Sequence, residues 1–363
     1  MSTPFGKFFL PGPTEVRPEI LAAQAKPMMG HRSSKTEDLL GRMEAPLKAV
    51  FRTERPVMMA AASATGFMEA GIRNGVRQKV LCLVNGAFSQ RFADIAKACG
   101  KETLVEKVPE GETFEAPRVR ELLARHAPDA VTIVHSESAT GALSPIAEIS
   151  AAVHEAGDVM LIVDGVTSVA GSPVEFDQWR LDFLVTGSQK AMALPPGLAF
   201  GVASERMMAR ARTIPGRGIY FDLVPYDEQI RKRQTPYTPA VSLLYALAAQ
   251  VELIATEGIE NRWKRHDAMR SRVEQWVAQH AASLGIGMLP REGRRSWTVS
   301  CVKLPEGGQA GTAVSKAMSA RGITIASGYG KNKETTFRIG HMGDHTVAEL
   351  EVVLENLTEV LRG

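Results

Sequence analysis

The sequence predicts an α/β fold: a large first domain built on a mostly parallel, seven-stranded sheet, then a small carboxyl-terminal α+β domain. Three observations carry that expectation. Short apolar runs alternate with helix-like segments through the first two hundred residues. Several of these runs are apolar throughout, as suits strands buried on both faces. After about residue 240 the alternation gives way to long helices broken by isolated strand-like runs.

The strand-like runs are 56–60, 79–84, 103–108, 130–134, 160–163, 181–185 and 198–202. Helical patterns at 67–76, 90–99, 117–127 and 145–156 lie between them. A strand followed by a helix and another strand returns the chain in parallel, which puts helices on both faces of one sheet. Residues 241–256 read as an amphipathic helix ending at Gly258, and 259–282 as a second, charged helix. Strand-like 297–304, helical 312–321, strand-like 336–339 and a last helix over 345–361 complete the pattern. The division falls in the long helix, which gives domains 1–250, with its amino-terminal arm, and 251–363.

The chain of 363 residues is 44% hydrophobic and 23% charged, with a net charge of +3. Lys+Arg 43 against Asp+Glu 40 is too balanced for a nucleic-acid or anionic-membrane partner. Clusters such as Arg231-Lys232-Arg233 read as solvated surface. Cys82, Cys99 and Cys301 form no disulfide framework and no metal-ligand spacing. The stretch MSTPFGKFFLPGP lacks the apolar core of a signal peptide, and no apolar run reaches membrane length. A cytoplasmic protein is expected.

In open parallel sheets ligands bind at the carboxyl ends of strands. There the sequence sets Asp164 after the 160–163 run, and Thr186-Gly187-Ser188-Gln189-Lys190 after the 181–185 run. Ser63-Ala64-Thr65 opens a helix after the first run, Phe88 follows the second, and His135-Ser136-Glu137-Ser138 follows the fourth. A lysine among small residues and prolines is out of place unless it does chemistry, because lysine is costly to bury. Pyridoxal phosphate calls for this set. It needs a lysine for a Schiff base and an acid for its ring nitrogen. It also needs backbone N–H groups and hydroxyls for its phosphate. The lysine must be neutral to attack an aldehyde, and desolvation favours that form.

The ordered motifs LPGPTEV, GHRS, SATGFMEA, NGAFSQR, HSESATG, VDGVTSVAG, GSQKAMALPPG, TPYTPAVSLLYAL and FRIGHMG span nearly the whole chain. In them the sequence resembles the class V aminotransferases of pyridoxal-phosphate fold type I, most closely the alanine–glyoxylate and serine–pyruvate enzymes. The resemblance implies roles position by position. Lys190 would hold the cofactor and then shuttle a proton, and Asp164 would pair with the pyridinium nitrogen. Ser63, the Ala64 backbone, Thr65 and Gln189 would hold the phosphate. The family often has glycine where Ala62 and Ala64 stand, and histidine where Thr65 stands. Phe88 would stack on the ring, and Ser138 would reach the ring's phenolic oxygen. Arg338 would grip the substrate carboxylate in a two-pronged manner. Gly12 and Arg32 are further substrate-binding candidates.

The resemblance also implies a homodimer with shared sites. A partner subunit would lend a phosphate contact from Gln234, Thr235, Tyr237 or Thr238, of which Thr238 is favoured. The implied reaction moves an amino group from alanine or serine to glyoxylate or pyruvate, by a ping-pong route. Aspartate, ureidoglycine, 2-aminoethylphosphonate and pyridoxamine are alternative donors. A desulfurase is disfavoured because Phe88 replaces a stacking histidine and no cysteine lies in the 327–333 loop. A non-catalytic descendant would need neither Lys190 nor Asp164. His31, His135 and His341 read as structural, and no metal is expected.

Overall fold

The computed structural model describes residues 5–363, so the first four residues of the amino-terminal stretch lie outside the described residues. An amino-terminal arm leads into α1 (Pro18–Ala23) and α2 (Ser34–Phe51). Strands and helices then alternate: β1 (Met58–Ala60), α3 (Ala64–Gly75), β2 (Lys79–Val84), α4 (Ala87–Ala98), β3 (Glu102–Lys107), α5 (Ala116–His126) and β4 (Ala130–Val134). A short hairpin, β5 (Ser136–Glu137) with β6 (Ala142–Leu143), precedes α6 (Ile146–Glu155), β7 (Met160–Asp164), β8 (Phe183–Gly187) and β9 (Ala199–Ala203). Next come α7 (Glu205–Thr213), α8 (Leu223–Ile230), α9 (Val241–Glu257) and α10 (Ile259–Leu284), the last two meeting at 83°. The chain ends with β10 (Gly287–Met288), β11 (Val299–Lys303), α11 (Gly311–Ala320), β12 (Ala326–Ser327), β13 (Thr336–Gly340) and α12 (Val347–Arg362).

The large sheet has seven strands in the order β1-β9-β8-β7-β4-β2-β3. Its neighbours run parallel except β9, which is antiparallel to both β8 and β1. Register aligns the strand ends that matter: Val134 pairs with Asp164, and Asp164 with Val185. The turns after β4, β7 and β8 therefore leave the sheet at one level.

Alternation along the strands divides the core between the two faces. Val80, Cys82, Ile162, Phe183 and Val185 pack with α3, α4 and α7. Leu81, Leu83, Val131, Ile133, Leu161, Val163 and Leu184 pack with α2, α5, α6 and α9. The apolar-throughout runs of the sequence are these two-faced strands. Helix α2 was not among the expected elements, because Gly41 and Pro46 interrupt its pattern. A proline inside a helix costs about 3 kcal/mol. Burial of Leu39, Leu40, Met43, Leu47, Val50 and Phe51, at about 1.5–3 kcal/mol each, outweighs it.

The second sheet, β10-β11-β13-β12, carries a separate core with α10, α11 and α12. Phe9 of the amino-terminal arm is buried in that core, held by Phe9 N–H to Thr324 O at 2.7 Å and Gly340 N–H to Phe9 O at 2.8 Å. Val251, Ile254, Ile259 and Trp263 belong to the large-sheet core, whereas Met269, Val273, Trp276 and Val277 of α10 belong to the small one. We therefore propose two domains whose division, set at 250/251 by the sequence pattern, runs through the first turns of α10. Among the described residues no single helix is long and apolar enough to cross a membrane.

Candidate active site

Lys190 lies in the turn that leaves β8. Ser188 N–H bonds Leu198 O at 2.9 Å, Ala193 N–H bonds Lys190 O at 2.8 Å, and Ser188 Oγ donates to Pro195 O at 2.7 Å. These bonds close a tight loop of buried Ala191, Met192, Ala193 and Leu194, which leaves the lysine 9% exposed. Its Nζ donates to Pro11 O of the amino-terminal arm. Gly12 adopts φ +116°, and a Cβ there would fall 2.6 Å from Lys190 Cδ, Cε and Nζ. A side chain there would be strained by that φ and would displace the lysine tail. Burial lowers the lysine pKa from 10.5 to about 8, and the Arg338 charge pushes the same way.

A cavity of about 140 Å³ opens beside Lys190. Asp164 lines it from the end of β7, with Oδ1 accepting from Val166 N–H at 2.7 Å. Burial pushes its carboxyl up to about 7, and the nearby Glu137 adds to the shift. Phe88 in the first turn of α4 is half-buried and lines the cavity, with Lys190 Nζ 5.9 Å from its ring centre. Ser138 lines it from the β5–β6 turn, its hydroxyl bonded to Thr167 Oγ1.

At the other end lie Ser63, Ala64 and Thr65, at the start of α3, together with Gln189. Ser63 occupies the N-cap position with extended backbone, yet its side chain caps nothing. The hydroxyl and the first N–H groups of the helix are thus left for an anion.

Arg338 sits on β13 of the small sheet and reaches across to the cavity wall. Nη1 donates to Ser138 O and Nε to Ser327 O, each at 3.0 Å. Its guanidinium stands 5.4 Å over the Tyr329 ring, and Tyr329 lies 5.6 Å from Phe88, centre to centre.

Two candidates are not brought to this cavity. Arg32 is exposed, and its guanidinium donates to Thr235 O at 2.6 Å and Pro236 O at 3.2 Å. Those two bonds brace the 235–236 loop. Thr238 is exposed and lines a different hollow, with Tyr220, Tyr226 and Tyr237. Thr235 Oγ1 donates to Tyr237 O, and the Tyr237 hydroxyl donates to Ile219 O. Of the three, Thr238 is the one whose hydroxyl bonds none of the described residues.

Sequence reasoning passed over Glu137, Arg91 and Tyr329. Glu137 is fully buried and accepts from Phe88 N–H at 3.1 Å, Ser89 N–H at 3.0 Å, Ser89 Oγ–H at 3.1 Å and Ala139 N–H at 3.1 Å. It caps α4 from a distant segment and fixes the helix turn that carries Phe88. An acid inside the small-residue run SESATG was its only local signal. Arg91 stands one helical turn after Phe88, a spacing that puts both on one face.

His135 and His341 are buried and neutral, with pKa values pushed down by burial to about 4 and about 3. Cys82 and Cys301 are buried, and burial raises both thiols to about 11. Among the described residues no group of His, Cys, Asp and Glu is arranged to hold a metal.

The profile of the Aminotransferase class-V family matches residues 64–340. This chain is a class V aminotransferase. It is 39% identical to an uncharacterized aminotransferase from Methanocaldococcus jannaschii, over 92% of this chain and 87% of that protein. It is 33% identical to the L-aspartate–glyoxylate aminotransferase of Paracoccus denitrificans, over 96% and 91%. The alanine–glyoxylate aminotransferase of Nostoc sp. superimposes with a TM-score of 0.92 at 28% identity, covering 100% of this chain and 97% of that one.

The aminotransferase takes pyridoxal phosphate as its cofactor, and its donor set suits that group. Asp164 is a desolvated carboxyl with no ion-pair partner among the described residues, so it is costly to ionise until a cation stands beside it. Ser63 and its helix start are free for a phosphate. Lys190 is poised near neutrality.

Three outcomes are expected. In the cofactor-free aminotransferase, Lys190 should react with a small aldehyde at a rate that rises through about pH 8 instead of 10.5, measured by borohydride trapping and peptide mapping. Because the folded chain binds that proton less tightly than the unfolded chain, stability to urea should also rise between those two pH values. Glu137→Gln turns an amide N–H toward the donors of Phe88 and Ser89. It should lower the unfolding free energy by about 1–3 kcal/mol, read by urea denaturation.

Proposed function

We propose that this aminotransferase moves the amino group of a small L-amino acid, alanine or serine, to glyoxylate or pyruvate in two half-reactions. The observation that carries the reading is the meeting of Lys190 and Asp164 at one small cavity, with Arg338 bonded to Ser138, a residue of its wall. Arg338 is buried there with Nη2 unbonded, and no acid pairs with it among the described residues. The cavity is small, about 140 Å³, which favours a short substrate side chain. Aspartate is the second reading, supported by the L-aspartate–glyoxylate relative.

The cofactor, when bound, supplies an aldehyde carbon for the amine and a ring that accepts the electron pair released at the substrate α-carbon. The chain's residues supply the rest. Lys190 Nζ, with a pKa near 8, takes the proton from the α-carbon of the donor and returns one in the second half-reaction. Asp164 would keep a positive charge at the ring nitrogen, and Phe88 would stack on the ring. Ser138 would hold the phenolic oxygen. Ser63, the Ala64 N–H, Thr65 and Gln189 would hold the phosphate. Arg338 fixes the α-carboxylate, with Gly12 leaving room against Lys190.

The active unit in this reading is a homodimer. The exposed, unbonded hydroxyl of Thr238 supports it as the group lent to a partner's phosphate, with Arg32 bracing the loop behind it. Three unpaired cysteines, two of them buried, support a cytoplasmic setting.

The reading is tested by assaying alanine, serine and aspartate separately with glyoxylate and with pyruvate. Alanine or serine should give the highest kcat/KM, and preference for aspartate would transfer the assignment to the second reading. Lys190→Ala should abolish turnover and covalent cofactor attachment. Arg338→Ala should raise KM for both amino and oxo acid roughly 10- to 100-fold. Unchanged KM values would remove Arg338 from the carboxylate role.

A further inference from the structure

Arg91 is a cation that the assigned chemistry does not use. It lies on α4, one turn beyond Phe88, and lines the same cavity as Ser63, Thr65 and Lys190. Its Nη1 donates to Thr65 Oγ1 at 3.3 Å, and its guanidinium carbon stands 4.9 Å from the centre of the Phe88 ring. Among the described residues it makes no other side-chain hydrogen bond, and no carboxylate pairs with it. A half-buried arginine with most of its N–H donors unspent, bordering a cavity, has an unfilled demand for an anion.

The charge balance of the cavity says which anion. Among the described residues, Lys190 and Arg91 are the only two cationic ones that line it. Lys190 must give up its charge to react with the cofactor aldehyde. A phosphate monoester carries about −1.5 to −2 at neutral pH, whereas a helix start supplies only about +0.5. Ser63, Ala64, Thr65 and Gln189 are all neutral, and so is Thr238. The phosphate end therefore lacks a full positive charge unless Arg91 supplies it. Thr65 matters here because of what it is. Its hydroxyl, in the first turn of the helix, gives Arg91 a group to lean on beside the phosphate end.

We propose that Arg91 binds the cofactor phosphate within its own subunit, oriented by Thr65 and stacked on Phe88, and supplies the countercharge that the neutral cradle lacks. The proposal rests on the cofactor site assigned above. Its positive field also reaches Lys190, where it favours the neutral amine, and Asp164, where it favours the carboxylate. Those are the protonation states the site requires.

The test compares pyridoxal phosphate with pyridoxal, which has the same ring and aldehyde but no phosphate. Both are titrated into the cofactor-free full-length chain and followed by the absorbance of the lysine-bound chromophore. Arg91→Gln should weaken pyridoxal phosphate roughly 10- to 100-fold and leave pyridoxal within about twofold. It should weaken inorganic phosphate as a competitor in the same proportion. Arg91→Lys, which keeps a point charge but loses the fork, should fall between wild type and Arg91→Gln, and it serves as the second variant if the glutamine form does not fold. Equal losses for both aldehydes would mean that Arg91 only props Phe88, and the proposal would be overturned. No loss for either would overturn it as well. If the wild-type chain forms no chromophore with pyridoxal phosphate, the cofactor assignment of the site is what fails, an outcome distinct from any result with the variants.

Discussion

Holding one lysine amine out of water at the carboxyl edge of a parallel sheet is the constraint around which the rest of this molecule is organised. An ammonium group loses hydration there, so the neutral amine gains, and the pKa drops to about 8. The loop that buries Lys190 is short, made of small residues and closed by its own hydrogen bonds. The amino-terminal arm crosses from the small sheet to complete the enclosure, with Pro11 O against Nζ and Gly12 against the aliphatic stem. Burial of Phe9 in the core of the small sheet anchors that arm. The reactivity of one side chain thus depends on packing around both sheets.

The same low-dielectric setting makes every charge near the cavity count. Asp164 and Glu137 are both buried acids, raised by desolvation, and the Glu137 charge further disfavours ionisation of Asp164. Glu137 meets its desolvation with four donors from the start of α4 and the β5–β6 turn. It thereby joins, through one carboxylate, the two segments that present Phe88 and Ser138. Arg338 ties the small sheet to that unit through the Ser138 carbonyl. Movement of the small sheet would be felt at Arg338 and Ser138 together.

Much of the fold and the site was legible because their signals are local. Two-faced strands read as continuous apolar runs, and all seven fall within about two residues of the expected places. Lys190, Asp164, Ser63, Phe88 and Ser138 stand just beyond strand ends, where a parallel sheet delivers ligand-binding groups. Helix α2 was not legible, since Gly41 and Pro46 contradict its propensity and only packing under α9 overrules them. Glu137 was not legible as a cap, because the helix it caps lies 48 residues away. Arg32 looked like an anion site from its motif, and only the folded chain turns it onto the carbonyls of Thr235 and Pro236.

By itself the sequence determined the order of strands and helices, the lysine and aspartate at the strand ends, and through its motifs the family and cofactor. Those follow from periodicity and from residue type at fixed spacing, which the chain carries before it folds. Only the tertiary structure decided which charges act on one another. The neutral leaning of Lys190, the unpaired state of Asp164, the capping by Glu137 and the placing of Arg91 beside Thr65 are consequences of desolvation and proximity. Both depend on residues far apart in the chain being brought together, and burial in a folded interior is what gives their charges strength.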